Sequence, residues 1–415
     1  MMQFDCLRSI RVRLAGMQHT AAIVLLCLFA ISYSHAQQTA AEHDNLGFDL
    51  TSKGDLDGAI LEFRAALEAD PNDFTAHSDL GVVLQKKGDL PGAVTEYRAA
   101  LRLKPNDAVT HGNLGDVLRV RGDMEEAISE FQTALRLKPD FVEVRNDLGK
   151  AYEDRLDLEK AIVEYRAAIR MKPDFAEAHY NLAFALDSLL NPHPDVNGAI
   201  AEYRTALRLA PDFEGYAQKA HYGLGTLLRD HGDLAGGIAE LKTAVALDPN
   251  DAGAHNHLGL ALSANGNADE AIVEWRAALR IKPDMAMPHR GIAMSLVSKG
   301  DMAGAMTELQ ALLQLYPNDA DALNTAAWIY ATATEPALHD PAKAVKYARH
   351  AVAVDKGEHV TYLGILGAAY YSNADYHNAV LTVKKALALK SDESTRKLLA
   401  ENLAEYKAAE KQAAR

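Results

Sequence analysis

Apolar and polar positions along this chain follow one long period. Its clearest markers are prolines: Pro71, Pro105, Pro139, Pro173, Pro211, Pro249, Pro283 and Pro317 are separated by 34, 34, 34, 38, 38, 34 and 34 residues. When each proline is counted as position 32 of its repeat, small residues fall at position 8: Gly47, Gly81, Gly115, Gly149, Ala183, Gly225, Gly259, Ala293, Ala327 and Gly367. Position 20 is equally small, from Ala59, Ala93, Ala127, Ala161 and Ala199 through Gly237 to Ala271, Ala305, Ala344 and Ala379. Position 24 is aromatic in six repeats: Phe63, Tyr97, Phe131, Tyr165, Tyr203 and Trp275. Small residues let two helices approach closely, and the aromatic fills the space they leave. A fixed period of this length predicts stacked supersecondary units that bury an apolar face against one another.

Punctuation within each period predicts two helices. Lys53-Gly54-Asp55, Lys87-Gly88-Asp89, Arg121-Gly122-Asp123 and Lys299-Gly300-Asp301 each offer a left-handed glycine stop followed by an aspartate cap. Asp123 with Glu126, Asp140 with Glu143 and Asp174 with Glu177 have capping-box spacing. Leu156 stands where the fourth repeat should have its glycine, so that turn is expected to close differently. Extra residues enter near 191–195, 212–217 and 333–341, as bends in the array, as binding loops or as tolerated surface insertions. In the last segment, Leu399, Leu403 and Tyr406 at i, i+4 and i+7 predict a polar capping helix over residues 392–415.

These positions together resemble the tetratricopeptide repeat (TPR), a helix-turn-helix unit of 34 residues. The resemblance runs from about residue 40 to 390, with repeats starting near 40, 74, 108, 142, 176, 218, 252, 286, 320 and 360. It implies an all-α, right-handed superhelical TPR solenoid of about ten repeats, spanning residues 37–391 and closed by the C-terminal helix. Family members use such arrays as non-catalytic scaffolds, binding a partner peptide or domain in a concave groove lined by the first helices.

Composition adds location and excludes some partners. The chain has 415 residues, 48% hydrophobic and 24% charged, with a formal net charge of −14. That charge, with no dense basic run, argues against nucleic acid and against docking on anionic lipid. Residues 1–36 read as a signal peptide. Arg8, Arg11 and Arg13 precede an apolar run from Ala21 to Tyr33, and Ser34-His35-Ala36 supplies a cleavage site that would leave Gln37 first. The run is short of the ~20 residues a span needs, although an uncleaved anchor is the alternative. Both cysteines, Cys6 and Cys27, lie in this leader, so the mature chain would depend on no disulfide. The expected place is the periplasm or the cell exterior, with no membrane insertion of the mature chain.

Ten repeats and the final helix use nearly all of the mature chain, and no H-E-x-x-H, G-x-S-x-G, P-loop or dinucleotide motif is present. No enzyme, cofactor or metal site is therefore expected. Histidine recurs at position 4, as His43, His77, His111, His179, His221, His255 and His289, with Arg145 in the fourth repeat. Packing is the expected role. A metal ladder would need imidazoles far closer than packed helices place them. A pH effect, in which charging of half-buried rings near pH 6 weakens the stack, remains open.

The resemblance also nominates groove residues. Position 6 reads Asn45, Asp79, Asn113, Asp147 and Asn181, similar to the asparagine ladder in the TPR array of O-linked GlcNAc transferase, where amides grip an extended peptide; no transferase domain follows here. Asp cannot donate as Asn does. Positions 5, 9 and 12 add Asn146, Tyr180, Phe184, Tyr222, Asn256, Arg290, Asn324, Arg119, Lys150, Arg229 and Trp328. Aromatics and arginines are what interface hot spots favour. The expected partner is a protein or extended peptide. The alternative is a component of envelope assembly, secretion or polysaccharide export that contacts glycan.

Overall fold

The computed structural model describes residues 39–188, 190–211 and 215–415, so the leader and residues 212–214 of the second insertion lie outside the described residues. Among the described residues every regular element is helical. The described residues form two compact units, divided between Leu209 and Ala210.

In the first unit the helices are α1 (39–52), α2 (Leu56–Ala69), α3 (Phe74–Lys87), α4 (Leu90–Leu103), α5 (Ala108–Arg121), α6 (Met124–Leu137), α7 (Val142–Asp154), α8 (Leu158–Met171), α9 (Ala176–Asp187) and α10 (Val196–Leu209). The second unit contains α11 (Tyr216–Asp230), α12 (Leu234–Leu247), α13 (Ala252–Ala264), α14 (Ala268–Ile281), α15 (Ala286–Ser298), α16 (Met302–Leu315), α17 (Ala320–Thr332), α18 (Pro341–Val354), α19 (Val360–Ser372), α20 (Tyr376–Ala388) and α21 (Glu393–Ala413). Odd-numbered helices up to α19 are the first helix of a repeat and even-numbered ones the second.

Helix α8 shows why these segments are helical. Leu158, Ala161, Ile162, Tyr165 and Ala168 repeat at helical spacing and all are buried, while Asp157 caps the first turn by accepting from the Lys160 amide. Across five hairpins a position-24 aromatic meets a position-8 glycine: Phe63 at Gly47, Tyr97 at Gly81, Phe131 at Gly115, Tyr165 at Gly149 and Trp275 at Gly259. A Cβ added at Gly149 would lie 2.5 Å from Tyr165 Cε1, so any larger residue there would displace the ring. Phe63, Tyr97, Phe131, Tyr165, Tyr203 and Trp275 are all buried, and truncating one to Ala removes about 3–5 kcal/mol of packing.

Within each unit the first helices of successive repeats touch: α3 with α5, α5 with α7, α7 with α9, and likewise α11 with α13 and α13 with α15. Successive second helices make at most marginal contact. First helices therefore form the inner layer of each unit and second helices the outer one. Leu399 and Tyr406 of α21 are buried against α20 and α19, and Tyr406 stacks on Tyr371 at 4.4 Å, so the last helix closes the second unit as its pattern predicted.

Two expectations about the turns are corrected. Leu156 does not change the fourth turn. It takes the left-handed conformation itself, φ 62°, and the Asp157 amide bonds Tyr152 O at 2.9 Å, just as Asp123 bonds Leu118 O at 2.9 Å after Gly122. The register of the hairpin overrides the preference of the side chain. The three capping boxes do not form either. Asp123 is an N-cap without a side-chain bond, its carboxylate being held by Arg121. Asp140 and Asp174 precede the caps, which are Phe141 and Phe175. Position 34 is the N-cap in each of these repeats, so Pro-Asn-Asp places an acceptor there and Pro-Asp-Phe does not. Asn191 in the first insertion has a local role, capping the end of α9 through Ala185 O and Leu186 O.

The position-4 histidines form a recurring polar staple. His77 Nδ1 donates to Glu96 at 2.6 Å, and its Nε2 lies 3.3 Å from Pro71 O. His255 does the same with Glu274 at 2.6 Å and Pro249 O at 3.2 Å, and His289 with Glu308 and Pro283 O. Arg145 replaces the imidazole in the fourth repeat and donates to the equivalent Glu164 and Pro139 O. Each staple joins the proline turn, a first helix and a second helix.

Both partners are acceptors, so both ring nitrogens can donate only when the imidazole is protonated. At His179 this opposes the expected weakening on charging, because only a protonated ring can donate to both Glu202 and Pro173 O. For His179, burial alone would lower the pKa, but hydrogen bonds to Glu202 and Pro173 O outweigh it and the net shift is upward. A raised folded pKa contributes stability that is complete below the unfolded value, near 6.5, and is lost as pH rises through the folded value. The urea midpoint should therefore fall between pH 6 and pH 8, and His179→Arg should flatten that slope; an unchanged slope would refute the staple's charge dependence. Leu156→Gly should raise stability by about 1 kcal/mol in urea denaturation, because Leu156 is exposed and its left-handed backbone is strained.

Candidate partner-binding face

The nominated groove residues fall on the inner, first-helix layer of the two units. In the first unit many of them are tied to the next first helix. Gln85 donates to Asp116 at 2.7 Å, and Arg119 donates to Asp154 at 2.8 Å. Lys150 reaches Asp147 at 2.7 Å and Glu177 at 3.0 Å. Asn146 donates to the same Glu177 oxygen, and Asn181 donates to Asn146 Oδ1 at 2.9 Å. Asn146 and Asn181 are 1% and 6% exposed, so the structure spends their amides on each other rather than presenting them to solvent. Burial pushes the Asp147 carboxyl up against the opposing pull of Lys150. Lys150, with two carboxylates on it, is held above its ordinary range in spite of burial.

The remaining position-6 residues differ among themselves. Asn45 is exposed and bonds its own helix through Ala41 O. Asp79 faces Asp44 and Asp73, and burial together with those neighbours pushes Asp44 up to about 7 and raises Asp79 as well. Asn113 is half-buried and has no hydrogen-bond partner among the described residues. Tyr180 packs edge-on to Tyr203 at 5.9 Å, and Phe184 stands exposed.

The second unit repeats the scheme with other residues. Tyr222 sits against His257 at 5.2 Å, and Arg229 donates to His257 Nδ1 at 3.0 Å. Burial, then Arg229, lowers the His257 pKa, which keeps that nitrogen an acceptor. Arg290 pairs with Asp319 at 2.6 Å and Asp321 at 3.2 Å. Asn256 and Asn324 each hold a buried side-chain oxygen with no partner. Trp328 is half-buried against the core of α17 and its neighbours.

Reading by position missed the acceptors of these ties, namely Asp116, Asp154, Glu177 and Asp319, and with them Asp251, which accepts from Gln218 at 2.7 Å. The available signal is complementary polar pairs 28 to 35 residues apart, the offset between neighbouring first helices. It also missed Met287 and Met294, which lie exposed on the same layer. Among the described residues no three His, Cys, Asp or Glu side chains are grouped to hold a metal ion.

Paired helices, stacked with their first helices inward and carrying a varied polar and apolar face there, define a helical-repeat protein. A TPR repeat model matches residues 47–88, 86–119, 115–154 and 157–188, and a second tetratricopeptide repeat model matches 222–286 and 258–320, together more than half of the chain. The chain belongs to the tetratricopeptide repeat family. Solved structures to which it is similar include the MamA protein, with 25% identity over 43% of this chain and 96% of that one at a TM-score of 0.38. A tetratricopeptide repeat protein from Parabacteroides merdae is 16% identical over 62% of this chain and 99% of its own, at 0.47. YrrB, described as a TPR protein with an unusual peptide-binding site, is 20% identical over 49% and 97%, at 0.40. No curated protein matches the chain in sequence.

The ties make a prediction that separates holding from binding. Asn146→Ala and Asn181→Ala should each cost about 1–3 kcal/mol in urea unfolding, since each strands a buried polar partner. Asn113→Ala should stay within about 0.5 kcal/mol. Equal effects at all three sites would contradict the division.

Proposed function

We propose that this protein is an exported, non-catalytic scaffold that holds an extended segment of a partner protein against the first-helix face of a unit. The supporting observation is at position 9. There Phe48 and Phe184 in the first unit are 65% and 46% exposed, on the layer where Asp116 and Lys150 at the same position reach neighbouring first helices, and Met294 in the second unit is 51% exposed. Large apolar side chains left in solvent at one repeat position are the anchors an interface uses. The polar ties around them hold the backbone rigid, which lowers the ordering cost of binding.

Family membership supports the scaffold role, and the leader pattern supports export with cleavage after Ala36. Capture with cross-linking from the exported fraction tests both. The captured chain should begin at Gln37, and one or a few discrete proteins should come with it. Replacing Phe48, Phe184 and Met294 together by Ala should reduce capture at least tenfold, as loss of hot-spot anchors does, with the urea midpoint unchanged. Undiminished capture would exclude this face. Binding to a glycan array without any protein partner would instead favour a role in envelope polysaccharide export.

A further inference from the structure

The ninth repeat departs from the others at the corner that the polar staple occupies elsewhere. In the first eight repeats a position-4 His or Arg on the first helix bonds a position-23 Glu on the second. The ninth repeat has Leu323 at position 4 and Tyr347 at position 23, beside Pro317. Leucine carries no donor, so the bridge to the proline turn is lost. Leu323 is 3% exposed and joins Ala351 and Tyr362 in a small apolar cluster, against which Leu313, Tyr347 and Val352 pack. The Tyr347 ring leans on Tyr330, with centroids 5.6 Å apart.

A pocket of about 220 Å³ opens in that corner, lined by Leu313, Pro317, Leu323, Lys346, Tyr347 and His350. It is smaller than the roughly 300–1,000 Å³ of drug-sized ligand sites and larger than the roughly 150 Å³ that admits one benzene-sized group. One apolar side chain fits it. Leu323 is buried and Leu313 half-buried at its base, whereas Pro317, Lys346 and His350 are exposed at its mouth. His350 is held there by donating from Nε2 to Asn318 Oδ1 at 2.9 Å.

Loss of the position-23 Glu also changes the charge of the helix that carried it. Helix α18 contains Lys343, Lys346, Arg349 and His350 and no acidic residue, whereas every earlier second helix keeps at least that Glu. Lys343 is tied to Asp340 at 3.0 Å. Lys346 and Arg349 are exposed at i and i+3, on one helix face, and make no ion pair among the described residues. The carboxylates at the start of α17, Asp319 and Asp321, are spent on Arg290 and Tyr362. An electropositive strip therefore borders an apolar pocket, in a chain whose net charge is −14. Its complement is an acidic segment carrying one aliphatic side chain. An anionic glycan would satisfy the strip and leave the pocket empty.

We propose that this corner of the ninth repeat is a second binding site, taking an acidic segment of a partner protein that inserts one aliphatic side chain beside Tyr347. The site lies apart from the position-9 anchors and does not rest on them. The test uses the full chain and two fluorescein-labelled peptides, in which glutamates flank either one leucine or one alanine, read by anisotropy. The leucine peptide should bind saturably and the alanine peptide about tenfold more weakly, as expected when an apolar pocket is left unfilled. Leu323→His with Tyr347→Glu rebuilds the staple of the eighth repeat and should weaken the leucine peptide about tenfold. Lys346→Glu, at an exposed position, should weaken both peptides about fivefold and serves if the double variant does not fold. Absence of binding, equal binding of the two peptides, or unchanged affinity in a folded variant overturns the site. Heparin bound in preference to both peptides would assign the strip to an anionic glycan and overturns it as well.

Discussion

The close approach of two helices within each repeat is the constraint on which everything else here depends. It requires a residue with little or no side chain at position 8, facing in most repeats a large apolar group at position 24, as at Gly149 and Tyr165 or Gly225 and Leu241. Once that contact is made, the angle of the hairpin follows, and so does the end of the hairpin at which first helices meet their neighbours. The strength of the constraint shows at Leu156, a branched residue that accepts a left-handed backbone so that the turn can keep its shape. Packing across the whole hairpin outweighs the local strain of one residue.

Polar residues divide between two tasks that the repeat keeps apart. On one side, position-4 imidazoles and Arg145 fasten each proline turn to its own hairpin. On the inner layer, Asn146, Lys150, Glu177 and Asn181 fasten one repeat to the next. A residue committed in this way gives rigidity rather than contact with a partner. Among the described residues, the exposed apolar side chains at position 9 and the half-buried Asn113 have no such commitment. Stability is therefore written in the regularities of the repeat.

The period of prolines, the small residues and the aromatics determined the helical hairpin, the number of repeats and the closing helix, because these depend on contacts inside one unit or between identical units. The N-cap after Pro-Asp-Phe was misread, because aspartate propensity pointed to Asp140 and Asp174 while the register of the turn puts Phe141 and Phe175 at the cap. Sequence alone could not assign hydrogen bonds between residues some thirty positions apart, because each groove side chain has several partners within reach and only the packing angle selects one. Asn181 thus reads as a rung of a ladder and folds as the donor to Asn146. The polar surroundings of the histidines were likewise decided by tertiary structure, since it takes both a second-helix carboxylate and a proline carbonyl from the preceding turn to surround one ring with acceptors. So was a cleft beside Trp275, which Ser263 and Gly291, 28 residues apart in sequence, both line.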